Sequence, residues 1–365
     1  MATAPALTCH DLVVRAVNVP MRRPLATSGG IVGVAPLVLL DLVTEQGPVG
    51  STYLFCYTPL VLEPVLRLLQ NLAPVLKGRS AAPLDLDRRL QAQFRLLGAN
   101  GIVAMALAGL DMAAWDAQAR AAGLPLARLL GAEPRPVRAY NSCGLGLIGA
   151  DHVGREALEL AAPGFGAIKV RLGYPKAADD LEVVRTVRAA VGEDVVLMSD
   201  YNQGLSVAEA VQRGRLLADE GLHWIEEPTS ADDFEGHAEI RRRSGARIQM
   251  GENWWGPHEM ARCLAAGACD LGMPDAMKIG GVTGWLRAAA LAEAAGLPMS
   301  THLFPEVSAH LMCATPTADW LEYVDWAEPV LQESVRMVDG HALPSEAPGT
   351  GIAWDEAAVE RFRVA

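Results

Sequence analysis

Apolar and polar positions change rhythm twice along this chain. In residues 10–57 they come in short strand-like runs. DLVVRAVNVP stops at Pro20, and VAPLVLLDLVTEQGPVG (34–50) reads as a strand running into a turn signal. Between them lies ATSGGIVGV (26–34), small and Gly-rich, which is either a plain hairpin tip or a mobile flap over a site. Residues 58–131 then carry leucines and alanines at helical spacing, with stops at Gly78 and Gly123. Strands followed by helices predict an α+β domain.

From about residue 135 the rhythm changes again. Short β-rich runs alternate with helical stretches. The predicted strands are 137–142, 167–171, 195–200, 223–227, 247–252, 271–275, 297–302 and 320–324. Helices over 177–192, 206–221 and 283–296 each end in glycine, a common C-cap. This alternation predicts a parallel (β/α) barrel, whose chemistry sits at the C-terminal strand ends. The expected organisation is a capping domain over 1–134, a barrel over 135–325, and a segment over 326–365 that packs back on the first domain.

Composition narrows the class. A chain of 365 residues with net charge −12 and mixed charge signs lacks the basic patch of a nucleic-acid binder. No apolar run approaches the ~20 residues of a membrane span, and the N-terminus lacks the pattern of a signal peptide. Six cysteines without a CxxC pair suit reduced thiols, so a cytoplasmic location is expected. Gly144, Gly146 and Gly149 spell GxGxxG, but the acid expected about 20 residues later is absent: position 169 is lysine. The motif reads as a flexible first barrel loop.

Candidate chemistry sits at the strand ends. Asp200, Glu226 and Glu252 recur at an interval of 26 residues (226 − 200 and 252 − 226), about one strand–helix unit. Three acids delivered to one rim suit Mg²⁺. Lys169 and Arg171 share a face of their strand, and Asn202 shares one with Asp200. Asp275, His302 and Glu322 end the last three strands. Glu227 neighbours Glu226 and is expected to face the helices. A metal on the three acids would bind a substrate carboxylate and stabilise the enediolate left when its α-proton leaves. His302 is the candidate base, oriented by Asp275. Lys169 would neutralise the carboxylate, and Glu322 would donate a proton if its neighbours raise its pKa. Leu25, Ile31, Val32 and Tyr57 would give the flap an apolar inner face, while Arg22 and Arg23 read as surface charges.

The segments DYNQ, WIEEPT, MGENWWGP and MPDAMKIGGVTGW, with GLDMAAWDA in the first domain, resemble the enolase superfamily and within it the mandelate racemase subgroup. The resemblance spans nearly the whole chain. It implies a modified (β/α)₇β TIM barrel under an α+β capping domain, with Mg²⁺ on Asp200, Glu226 and Glu252. It also implies a His302–Asp275 dyad, Glu322 as electrophilic acid, Ser142 and Lys278 near the substrate and metal, and a homo-oligomer, often an octamer. One position departs. The subgroup carries Lys-x-Lys on the second strand, and its second lysine is the base opposite the histidine. Here that residue is Arg171, which stays protonated. The expected reaction is therefore dehydration of an acid sugar to a 2-keto-3-deoxy acid. The alternatives are racemisation or epimerisation of a 2-hydroxy acid and a degenerate, non-catalytic family member; a muconate-cycloisomerase-like site is weaker, because the far side carries His302 instead of lysine.

Overall fold

The computed structural model describes residues 6–364. Long apolar alternation first builds a three-stranded antiparallel sheet, β1 (Cys9–Thr27), β2 (Gly30–Thr44) and β3 (Val49–Phe55), in the order β1-β2-β3. β1 does not stop at Pro20 as the sequence suggests. It is an edge strand, so proline removes no donor the sheet needs, and pairing continues through Pro20–Val34 to Thr27–Gly30 with a break in register. The Gly-rich segment is thus the tip of a long β1–β2 hairpin. Helices α1 (Leu62–Leu76), α2 (Pro83–Gln93), α3 (Ile102–Ala122) and α4 (Leu126–Leu129) follow. The apolar α3 packs on β3 and is buried along most of its length.

The second unit is a parallel barrel. Its elements are β4 (Val137–Asn141), α5 (Ala150–Ala161), β5 (Ala167–Arg171), α6 (Ala177–Val191), β6 (Val196–Asp200), α7 (Val207–Leu217), β7 (Leu222–Glu226), α8 (Phe234–Ser244), β8 (Ile248–Met250), α9 (Pro257–Ala266), β9 (Leu271–Gly272), α10 (Gly281–Ala295), α11 (Pro305–Cys313) and β10 (Leu321–Tyr323). Strands β4 to β9 pair in sequence order, and β10 pairs β4.

Several boundaries differ from expectation, and the strand expected over 271–275 keeps only Leu271–Gly272. The strand predicted to reach Glu252 ends at Met250, because Gly251 adopts φ +137 and turns the chain. The strand predicted over 297–302 is reduced to single bridges, Met299 with Gly272 and Ala318 and His302 with Asp275. Pro298 supplies no N–H to extend a ladder there. Helix α7 ends at Leu217, with Ala218 as its C-cap, short of the glycine at 221. The last segment forms β11 (Arg336–Val338), β12 (His341–Leu343) and α12 (Glu356–Phe362). β12 adds to β4, while α12 lies against β1. Among the described residues no helix is long and apolar enough to cross a membrane. All six cysteines are buried and free.

Candidate active site

β6 and β7 end side by side, with Asp200 in register with Glu226, and Glu252 follows on the turn after β8. Their carboxylate oxygens lie within 4.8 Å of one another, and Asp200 and Glu226 are buried. Three anions packed this closely in a low-dielectric setting repel one another, so the cluster needs cations. One is built in. Lys169 Nζ lies 2.9 Å from Glu226, 2.9 Å from Glu322 and 3.5 Å from Asp200. Burial alone would lower the Lys169 pKa, but Glu226 and Glu322 overrule it and hold the ammonium charged well above its usual range. Burial, then Asp200, pushes the Glu226 carboxyl well above its ordinary value. One lysine cannot neutralise three carboxylates and Glu322 as well, and their hard oxygens fit Mg²⁺.

The opposite wall carries the dyad. His302 Nδ1 lies 2.7 Å from Asp275 Oδ2, which leaves Nε2 facing Glu252 at 3.2 Å and Glu322 at 3.9 Å. Asp275 is held by the backbone N–H groups of Met277 and Lys278. Burial pushes the imidazole pKa down, but Glu252, Glu322 and Asp275 more than offset this and leave it raised. Glu322 departs from expectation. Burial works upward, yet Lys169, His302 and Arg171 pull its pKa well below the carboxylate range, so its neighbours make it an anion instead of an acid. It also accepts the Leu303 N–H at 3.0 Å.

Arg171 is buried beside the acids but pairs with none of them. Its Nη atoms donate to the Ser142 carbonyl, the Gly144 carbonyl and the Ser142 hydroxyl. Asn202 donates to Asp200 through both backbone and side chain. Lys278 donates to Asn253 at 2.6 Å and lies 4.3 Å from the Tyr57 ring centre.

A cavity of about 340 Å³ opens over this group. It brings together Lys169, Arg171, Asp200, Asn202, Glu252, Lys278, His302 and Glu322, with Leu25, Val32 and Tyr57 from the first domain. Glu226 lies beneath, bonded to Trp224 Nε1 as well as Lys169. Asp275 and Ser142 sit behind their partners.

The family follows from comparison. Residues 9–131 match the mandelate racemase / muconate lactonizing enzyme N-terminal domain, and residues 152–358 match the enolase C-terminal domain-like family. The chain belongs to the enolase superfamily. It is 35% identical to the L-talarate/galactarate dehydratase of Salmonella typhimurium, an alignment covering 76% of this chain and 70% of that one. A solved enolase from the alpha-proteobacterium bal199, with bound magnesium, superposes with TM-score 0.96 at 44% identity, covering 98% of this chain and all of that one. An enolase from Bradyrhizobium, complexed with magnesium and mandelic acid, superposes with TM-score 0.94 at 45% identity over the full length of both. The chain is therefore an enolase-superfamily enzyme, and Mg²⁺ is its cofactor.

Some residues of this enolase-superfamily site escaped the sequence. Glu227 does not face the helices. Its φ of +32 breaks strand alternation, and its carboxylate takes the Asn253 side chain at 2.6 Å. Burial, then Glu252, pushes its pKa up to about 8. Asn253, Gln203, Phe55, Leu303 and Trp326 also line the cavity. Asn253 and Gln203 follow site residues directly, a signal that adjacency could have supplied. Trp326 comes from beyond the barrel, and nothing in its local sequence marks it.

Proposed function

We propose that this enzyme dehydrates a 2,3-dihydroxycarboxylate to a 2-keto-3-deoxy acid by one-base chemistry. Arg171 carries the reading. The pocket has a poised base on the His302 side, while the other side presents a guanidinium bonded to Ser142 and Gly144. Arginine does not give up a proton at any working pH. A reaction that must remove a proton from one face and return it on the other therefore lacks half of its machinery.

When bound by Asp200, Glu226 and Glu252, Mg²⁺ supplies positive charge for a substrate carboxylate. His302 Nε2 takes the C2 proton, with Asp275 holding the ring and stabilising the imidazolium. Lys169 and Arg171 offset the charge that develops on the substrate carboxylate. The imidazolium then returns the proton to the 3-hydroxyl, which leaves as water, and the resulting enol takes a proton at C3 and loses the one on its C2 oxygen to give the ketone. Hydroxylated substrates also suit the polar character of the lining. Tyr57 Oη, Arg171 Nε and Asn202 Oδ1 are buried without partners, and their residues line the cavity.

A second reading rests on a different surface. Leu25, Val32, Phe55, Tyr57, Leu303 and Trp326 make an apolar wall, with the Phe55 ring centre 4.7 Å from that of Tyr57 and 5.1 Å from that of Trp326, both pairs tilted. That wall suits an apolar or aromatic 2-hydroxy acid, the kind of ligand held by the Bradyrhizobium enolase. Incubation in D₂O with Mg²⁺, acid sugars and both mandelate enantiomers, followed by proton NMR, separates the two. A 2-keto-3-deoxy product, absent with His302→Asn, supports dehydration. Inversion of mandelate without dehydration of any sugar overturns it.

A further inference from the structure

The tip of the β1–β2 hairpin is not free. Ser28 Oγ lies 2.8 Å from the Tyr201 carbonyl and 3.0 Å from the Asn202 carbonyl, 173 and 174 residues away in sequence. Both carbonyls belong to the turn that leaves β6, directly after Asp200. That turn is unusual in its backbone. Asn202 and Gln203 adopt φ +45 and +65, a left-handed pair that side chains disfavour.

The seat is shaped as well as polar. A Cβ on Gly204 would lie 2.7 Å from Ser28 Cβ, and one on Gly173 would lie 3.7 Å from it. Gly204 thus leaves the room that the Ser28 side chain takes at the surface, while a Cβ on Gly173, from a different barrel loop, would only touch it at ordinary contact distance. One buried acid ties these loops together. Asp180 accepts the backbone N–H groups of Gly173 and Tyr174 through Oδ1, and the Tyr201 hydroxyl and Arg213 through Oδ2. The network sits outside the group of catalytic side chains, and nothing in the proton chemistry uses it.

We infer that Ser28 is a latch, and that the Tyr201–Gly204 turn, held by Asp180, is the catch that keeps the hairpin closed over the cavity. Leu25, Thr27 and Val32 roof that cavity from the same hairpin. A second attachment lies two residues earlier, at the end of β1, where the Leu147 N–H from the loop after β4 donates to the Ala26 carbonyl at 2.8 Å. Ser28 is a positioning residue in this scheme. It touches no reacting atom, but it ties the roof to the turn whose Asn202 side chain also holds Asp200. Its use to the enzyme rests on the proposed chemistry, since an enediolate open to bulk water would be protonated before its hydroxyl left. The latch itself does not depend on the substrate.

The test is hydrogen–deuterium exchange of the full chain loaded with Mg²⁺, without substrate, on wild type, Ser28→Ala, Gly204→Ala and the double variant. A latch bond contributing about 1 kcal/mol predicts roughly fivefold faster exchange of the amides of residues 28–32 in Ser28→Ala. Gly204→Ala should do the same by filling the catch, and the double variant should be no faster than the faster single. Steady-state kinetics should show a raised KM with a smaller change in kcat. Unchanged exchange in Ser28→Ala overturns the latch whatever the substrate proves to be. Fully additive effects overturn the catch. Faster exchange in an enzyme that dehydrates nothing leaves the latch standing and removes only the reaction assigned to the site.

Discussion

Arg171 Nη2 donates to Ser142 Oγ at 2.7 Å, while Nη1 of the same guanidinium donates to the Ser142 and Gly144 carbonyls. A lysine at 171 could not make this fork. Its ammonium would be a single charge near Glu322 with a pKa open to tuning by burial. Arg171→Lys is therefore expected to gain proton exchange on the face opposite His302. In D₂O, wild type should exchange the α-proton of one enantiomer of a 2-hydroxy acid, and the variant should exchange or invert both. Chiral chromatography reads the outcome. Exchange confined to one enantiomer in both proteins would show that the side-chain type at 171 does not set the stereochemistry.

The acid cluster makes a separate prediction. Asp200, Glu226 and Glu252 repel one another within 4.8 Å, and Lys169 offsets only part of that charge. A divalent cation binding the folded state alone should stabilise the enzyme by about 2.7 kcal/mol at a hundredfold excess over its Kd. Thermal unfolding with and without EDTA measures this directly. Glu252→Gln should lose most of the Mg²⁺-dependent shift. Without metal it should unfold somewhat earlier than wild type, because His302, Lys278 and Lys169 together favour the Glu252 carboxylate in the folded state. A Mg²⁺ shift unaltered in Glu252→Gln would place the metal elsewhere.

Tyr57 offers a cleaner probe of substrate contact. Its hydroxyl is buried without a partner, its φ is +57, and the Lys278 ammonium lies over its ring. Tyr57→Phe keeps the ring and removes an unpaired polar atom, so the ligand-free variant should be as stable as wild type or more so. If the hydroxyl meets a substrate oxygen, KM should rise about fivefold. Calorimetry and steady-state kinetics on the same preparation check both halves. A stability loss with unchanged KM would give the hydroxyl a structural role.

How far the sequence reached can be judged from particular residues. Asp200 and Glu226 were legible because each ends a regular strand, and Lys169 because it lies within one, where alternation fixes the face. Glu252 was legible as an acid in the right repeat, although Gly251 had already ended its strand. Glu227 was misread because a positive φ inverted the alternation on which the reading relied. The electrostatic role of Glu322 was also hidden, since Lys169 and Arg171 reach it from β5 and His302 from the segment between α10 and α11, with no local pattern linking them to it. The Ser28 seat was invisible for the same reason. A hairpin tip and a turn 173 residues later have no local pattern in common.

Glu306 gives the enzyme a pH dependence of stability that is independent of its chemistry. It opens α11, four residues after His302, and its carboxylate accepts the Tyr53 hydroxyl at 2.7 Å across the domain junction. A side cavity of about 490 Å³ lined by Arg135, Glu333 and Arg336 lies beside it. Burial pushes the Glu306 pKa from 4.5 up to about 7, against the lowering by its hydrogen bonds. The folded state therefore binds this proton more tightly than the unfolded chain does. Its contribution is complete below pH 4.5 and is lost as pH rises through 7, and the full swing is about 3 kcal/mol. Glu306→Gln keeps the shape and removes the titration. Its stability should fall less than that of wild type between pH 5 and pH 8, so that the variant gains on wild type at the alkaline end. Urea unfolding at several pH values measures the two slopes. Parallel slopes in the two proteins would mean that Glu306 keeps an ordinary pKa, and that the carboxylate stays charged against Tyr53 throughout the range.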